Sequence, residues 1–322
     1  MAEYKSINGT KIQDFTSDPA NPLEGQVWYN TTSNVLKVSD GPVVAAWATA
    51  NSMNTGRYGL AGAGTQTAAL GFAGNTPSGT TATESYNGTN WTEVNDMNSA
   101  RRYLAGAGTQ TAALGFGGAP GPQTITETWN GTNWTEVNDL NTARRALAGC
   151  GTNTAALAFG GNASYLTVTE NYNGTNWTEV NDLNTGRAYL AGCGTTTAAL
   201  AIGGGTFPAT AVTELWNGTN WTEVNDMNTA RLLLAAAGTQ TAALGFGGYF
   251  SPPTTTTAVT ENWNGTNWTE VNDLNTARQI LAGTGTNTAA LAFGGRAAAF
   301  TAALATTEEF SETGGTTTID TE

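Results

Sequence analysis

Apolar and polar positions along the chain fall into short alternating runs that glycine and asparagine interrupt. Period-two runs of this length between such breakers read as β-strands. In one stretch Arg102–Ala107 reads as a strand a, Ala112–Phe116 as b, Thr124–Trp129 as c and Asn133–Val137 as d. Gly117-Gly118 ends b, and Asn130-Gly131 links c to d. Asn-Gly is favoured by two-residue type I′ hairpins, so that turn is expected here. In that register Trp134 shares a face with Trp129 and lies diagonal to it across the ladder. The small residues of a and b suit a crowded interior where backbones approach closely. The Trp and Tyr residues of c and d suit packing between sheets farther out.

The pattern recurs. Asn-Gly-Thr-Asn-Trp begins at Asn87, Asn130, Asn173, Asn217 and Asn264, at spacings of 43, 43, 44 and 47 residues. Such a period points to propeller blades or solenoid units. An arginine recurs six times, as Arg57, Arg101, Arg144, Arg187, Arg231 and Arg278. The Thr-Glu of strand c also recurs six times, beginning at Thr83, Thr126, Thr169, Thr213, Thr260 and Thr307. Only five d strands follow a c strand, those of Trp91, Trp134, Trp177, Trp221 and Trp268. The missing tryptophan is Trp47, 44 residues before Trp91, with Met53 and Arg57 in register. The expected fold is therefore all-β, a six-bladed propeller of four-stranded blades. Its last blade takes a, b and c from the C-terminus and d from about Val43 to Ala48, which removes two exposed edges. Residues 41–322 then form one domain and residues 1–40 an N-terminal arm.

The order Arg, strand, strand, Gly-Gly, aromatic strand, Trp resembles the kelch repeat of β-propellers over about residues 41–310. The step from Trp129 to Trp134 is shorter than the usual kelch interval, and the period is slightly short. WD-repeat propellers fit worse, because the chain has no Gly-His and no Trp-Asp. The resemblance implies the fold and brings no partner with it.

The arm differs in composition. Lys5, Lys11 and Lys37 all precede residue 41, and every later basic residue is Arg. Gly25–Val38 reads as a short hairpin bounded by Pro19, Pro22 and Gly41-Pro42. The string GTKIQDFTSDPANPLEGQVWYNTTSNVLKV resembles N-terminal segments of tail and appendage proteins of bacteriophages, especially marine ones. That resemblance implies a virion protein whose arm docks on other virion proteins. A hairpin packed on the edge of the last blade is the plainer alternative.

Composition excludes much chemistry. The 322 residues include no histidine, which removes Ser-His-Asp and Cys-His catalysis and His-ligated metals. Two cysteines cannot build a four-thiolate site. Cys150 and Cys193 occupy equivalent inner-strand positions and read as small apolar fillers; a disulfide between them would need closer spacing than adjacent blades offer. The net charge of −13 argues against nucleic-acid partners. No apolar run approaches the ~18 residues of a membrane span. No signal peptide is evident, so the Asn-Gly-Thr and Asn-Trp-Thr sequons are expected to serve as turns and strands.

The six arginines permit two readings, an anion clamp for a sialic-acid-like carboxylate or a structural pair with an acid of the same repeat. A residue repeated in every blade favours the pair. Glu93 with Asp96, Glu136 with Asp139 and their equivalents read as solvated rim charges rather than calcium ligands or a glycosidase pair. A sialidase-like enzyme would need one unrepeated set of acid, Tyr and Arg, and no such set stands out. The b–c loops, 75–82, 119–125, 162–168, 205–212, 249–259 and 296–306, repeat least. Variable loops on a rigid frame are a usual recognition surface. Their aromatics Tyr165, Phe207, Tyr249, Phe250 and Phe300 are the expected binding residues, for stacking on a sugar or packing on a protein. The expected function is a non-enzymatic virion component without cofactor or metal, soluble apart from the particle and compatible with an oligomer. It would bind a host-surface glycan or a neighbouring virion protein. The alternative is a cellular kelch-like adaptor.

Overall fold

A computed structural model describes residues 12–19, 23–39, 44–162, 165–205, 207–252, 254–298, 302–314 and 316–319. They form no helix, and so none long and apolar enough to cross a membrane. The chain divides into two units, Met1–Ala45 with Glu312–Glu322, and Ala46–Ser311.

Each copy of the repeat folds as an antiparallel four-stranded sheet in the order a, b, c, d. The second sheet comprises Ala105–Thr109, Ala112–Phe116, Thr126–Trp129 and Trp134–Val137. The first runs Ala61–Gly64, Ala69–Phe72, Thr83–Tyr86 and Trp91–Val94. Sheets beginning at Ala148, Ala191 and Ala235 repeat the order. In another sheet Ala282–Gly285, Ala289–Phe293 and Thr307–Thr313 are completed by Val44–Ala50 as the d strand. The larger unit is thus all-β, with repeated four-stranded sheets like those of a propeller.

Burial follows position in the sheet. Strand a alternates a buried Ala, Cys or Thr with a half-buried Gly or Ala, the last four residues of strand b are buried, and after the buried Trp of strand d the Thr and Glu are exposed. Glycine is needed at the middle of strand a where the preceding sheet ends its b strand in Phe; after Ile202 the same position holds Ala236. A Cβ on Gly106 would lie 2.8 Å from the Gly62 carbonyl and 2.9 Å from Phe72 Cζ. Farther out, each d-strand Trp covers the b strand of the preceding sheet. Phe72 meets Trp134 at 4.8 Å between ring centroids, and Phe116 meets Trp177 at 4.9 Å. The same tryptophans stitch sheet to sheet through the indole N–H. Trp134 donates to Thr83 Oγ1 (3.1 Å), Trp177 to Thr126 (3.1 Å), Trp221 to Thr169 (3.0 Å) and Trp268 to Thr213 (3.1 Å). Trp47 donates to Thr260 (3.0 Å) and Trp91 to Thr307 (3.0 Å).

The c–d turn differs from the expected one. Trp129 pairs directly with Trp134, so the turn holds four residues, Asn130–Asn133. The Asn130 side-chain oxygen accepts from the Thr132 and Asn133 N–H groups, both at 2.9 Å, and Gly131 takes φ +91°. This side-chain cap is what lengthens the turn beyond type I′. The two indoles are opposite rather than diagonal, with centroids 5.6 Å apart.

In the smaller unit Val27–Asn30 and Val35–Ser39 form the hairpin. Gln13–Phe15 adds in parallel on one side and Thr316–Ile319 antiparallel on the other. The C-terminal strand therefore joins the hairpin, whereas the sequence reading assigned everything after residue 41 to the propeller. Asp18 ties this unit together. Its carboxylate accepts from Trp28 Nε1 (3.1 Å), Asn30 Nδ2 (2.8 Å) and Lys37 Nζ (2.6 Å).

Candidate binding site

In every sheet, the end of b, the start of c, the end of d and the start of a lie in one row. In the second sheet Phe116 pairs with both Thr126 and Ala105, and Thr126 with Val137. The b–c loops and the links from d into the next a therefore leave at the same end of the sheet. That end carries both the most regular and the least regular residues of the repeat.

The regular residues are structural. Arg144 Nη2 meets Glu170 Oε1 at 2.9 Å, and its Nη1 donates to the carbonyls of Gly160 and Val168. Glu170 also accepts from the Asn141 and Thr142 backbone N–H groups and from Asn141 Nδ2. The same pairs recur as Arg57–Glu84, Arg101–Glu127, Arg187–Glu214, Arg231–Glu261 and Arg278–Glu308. All six guanidinium groups are buried. Burial pulls each arginine pKa down, and the facing glutamate opposes that shift. Within these six pairs no charge is left free for an external anion. Asp139 accepts from the Thr126 N–H and the Thr124 hydroxyl, so it caps strand c from an exposed position. Asn141 and its equivalents, which recur three residues before each Arg, were given no role in the sequence reading. Among the described residues no group of three or more Cys, Asp or Glu could hold a metal ion.

Just after each repeat Arg the backbone turns left-handed. Gly59, Tyr103, Ala146, Tyr189, Leu233 and Ile280 all have φ between +53° and +63°. Each N–H donates to the carbonyl of the equivalent residue in the preceding sheet, at 2.7 to 2.9 Å, and Gly59 donates to Ile280. These residues and the leucines after them line a cavity of about 90 Å³. The left-handed conformation costs a non-glycine residue about 1–2 kcal/mol, and Gly59 holds it without that cost. Keeping tyrosine at two such positions sets bulky side chains at this mouth.

The irregular residues cluster beside it. The residue directly after the repeat Arg is Tyr58, Arg102, Arg145, Ala188, Leu232 or Gln279. Arg296 lies 4.8 Å over the Tyr58 ring, and the Tyr58 hydroxyl bonds Asn75. Arg102 Nη1 reaches Asn75 Oδ1 at 3.5 Å, the edge of hydrogen-bonding range. Tyr103 stands 6.2 Å from Tyr189 in an edge contact, and Tyr189 stands 6.3 Å from Phe207. Burial raises the Tyr103 pKa against the fields of Arg296 and Arg102. Tyr58, Arg296, Thr76, Pro77, Ala302 and Ala303 line a second cavity of about 540 Å³.

Of the residues expected to bind, Phe207 is 52% exposed beside Tyr189. Tyr249 and Phe250 are half-buried in a small ribbon paired with Thr255–Thr256. The Ala209 N–H donates to the Ser251 carbonyl at 3.0 Å, tying the Phe207 loop to that ribbon. Tyr165 is half-buried in its own loop, and Phe300 lies outside the described residues. Tyr58, Arg102, Tyr103, Arg145, Tyr189 and Arg296 were missed. Their signal was the break in the repeat immediately after the conserved-spacing Arg and the double glycine. They supply the unrepeated Tyr and Arg groups that the sequence did not bring together, but no carboxylate lines either cavity.

No protein-family model matches the chain. No curated protein matches it either. Among solved structures 484 chains are similar. One, described as the structure of YjhT, superposes with a TM-score of 0.69 at 12% identity, covering 82% of this chain and 99% of that one. At that identity the likeness concerns the fold, which is that of a β-propeller with repeated four-stranded blades.

Proposed function

We propose that the chain is a non-enzymatic binding component of a bacteriophage particle, a tail-fibre or appendage protein. Its larger unit is read as a closed, six-bladed, kelch-like propeller. Closure is supported by two sets of bonds that run from sheet to sheet and back to the first, the indole–threonine bonds and the backbone ring at Gly59. The observation that carries the binding role is the confinement of irregularity to one end of the sheets, where the regular residues are consumed by structure. A host-surface glycan or a neighbouring virion protein would sit there. The virion placement rests on the resemblance of residues 9–38 to phage appendage segments, and the smaller unit is read as the docking arm.

Quantitative mass spectrometry of density-purified particles tests the placement. A fixed copy number relative to the major capsid protein is expected. Absence from the particles would remove the virion reading and leave the cellular kelch-like adaptor in its place.

A further inference from the structure

The larger unit has nine arginines, six of them held in the Arg–Glu pairs. The other three are Arg102, Arg145 and Arg296, and among the described residues none of them has a carboxylate partner. All three stand at the loop end of the sheets, in a chain of net charge −13. Dispersed surface cations would be expected to find some of the 25 acidic residues. The Nε atoms of Arg145 and Arg296 are moreover buried without a hydrogen-bond partner. The repeat arginines share that feature at Nε, but each keeps a glutamate on Nη2. What sets the three apart is the guanidinium ends: those residues are half-buried, and their Nη groups have no carboxylate on them, so they are left to take an external acceptor.

The surroundings define what that acceptor is attached to. Arg296 stacks on Tyr58, and Arg102 reaches Asn75, which is itself bonded to Tyr58. Tyr103 adds an aromatic face held in place by a left-handed backbone that glycine would adopt more easily. The cavity beside Tyr58 and Arg296, about 540 Å³, is in the range of small-ligand sites. Flat aromatic faces accept the C–H face of a pyranose, hydroxyl and amide groups accept its hydroxyls, and the guanidinium fork accepts a carboxylate. We propose that Tyr58, Arg102, Tyr103 and Arg296 form a site for a carboxylate-bearing sugar residue of a polysaccharide, with Arg145 next along the rim. This deepens the glycan-binding reading above and rests on it.

The probe is a hexamer of uronic acid units, compared by calorimetric titration with its carboxyl-reduced neutral counterpart. The acidic hexamer binds, and the neutral one binds at least about tenfold more weakly, the factor expected for losing a charge-assisted contact. R102Q and R296Q each weaken binding by about tenfold or more. R296K, which keeps the charge but not the fork, weakens it less and stands in should R296Q fail to fold. Circular dichroism melting checks that each variant is folded. Equal binding of the neutral hexamer, unchanged affinity in the folded arginine variants, or no binding of the acidic hexamer at millimolar concentration overturns the site. Fixed copy number in particles together with no uronate binding leaves the virion reading standing and this site refuted. Uronate binding by a protein absent from particles does the reverse.

Discussion

Arg144 and Glu170 meet at 2.9 Å with both side chains fully excluded from water. Removing one partner of such a pair strands the other charge, at a cost of about 3–5 kcal/mol. R144M is expected to lose that much stability in urea unfolding. The double variant R144M/E170L should recover only part of it, because Asn141 and Thr142 also donate to Glu170. A single variant within about 1 kcal/mol of wild type would show the pair to be dispensable.

Trp47 makes the same indole–threonine bond as its five counterparts. Its indole donates to Thr260 and its ring lies 4.9 Å from Phe246. If the sixth sheet completes a ring, W47A and W177A each cost about 3–5 kcal/mol. A W47A variant that unfolds like wild type, beside a strongly destabilised W177A, would mean that the Val44–Ala50 strand merely decorates the edge.

Sixfold repetition made the frame legible. The Arg, the Thr-Glu, the Gly-Gly and the Trp each recur because every sheet needs them, and the strand of Trp47 could be assigned to the last sheet from spacing alone. Local rules failed where side chains or distant strands decide. Strand a begins at Ala105 rather than Arg102 because Tyr103 turns left-handed to reach the Gly59 carbonyl. The turn after Trp129 is set by the Asn130 side chain, which the Asn-Gly preference does not describe. Thr316–Ile319 has little hydrophobic pattern, and its partner Val35–Ser39 lies at the other end of the chain. Tyr58, Arg102, Tyr103, Arg145 and Tyr189 were hidden because they come within two residues after the most regular residue and lie outside the variable loops, and Arg296 because it is not one of the aromatics that mark those loops.

Cys150 and Cys193 are free and buried. Their Sγ atoms point at carbonyls of the next sheet, Thr195 at 3.7 Å and Thr239 at 3.6 Å. Burial pushes both thiols up, that of Cys193 to about 12. A thiolate-directed reagent at pH 8 should therefore label neither cysteine in the folded protein and both in denaturant. Rapid labelling without denaturant would mean that the inner strands open readily.

Asp18 makes the smaller unit sensitive to acid. Hydrogen bonds from Lys37 and Asn30 hold its carboxyl below the ordinary value. The folded pKa is thus lower than the unfolded one. The stabilisation is present above the unfolded value, about pH 3.9, and is lost as pH falls through the folded value. Because Trp28 Nε1 donates to the same carboxylate, its indole N–H resonance reports the change directly. That resonance should stay in place from neutral pH down to about pH 4 and shift only below it. In D18N it should be displaced already at neutral pH and show no acid titration. A Trp28 signal that moves between pH 5 and 7, or that titrates identically in D18N, would show that Asp18 does not anchor the hairpin.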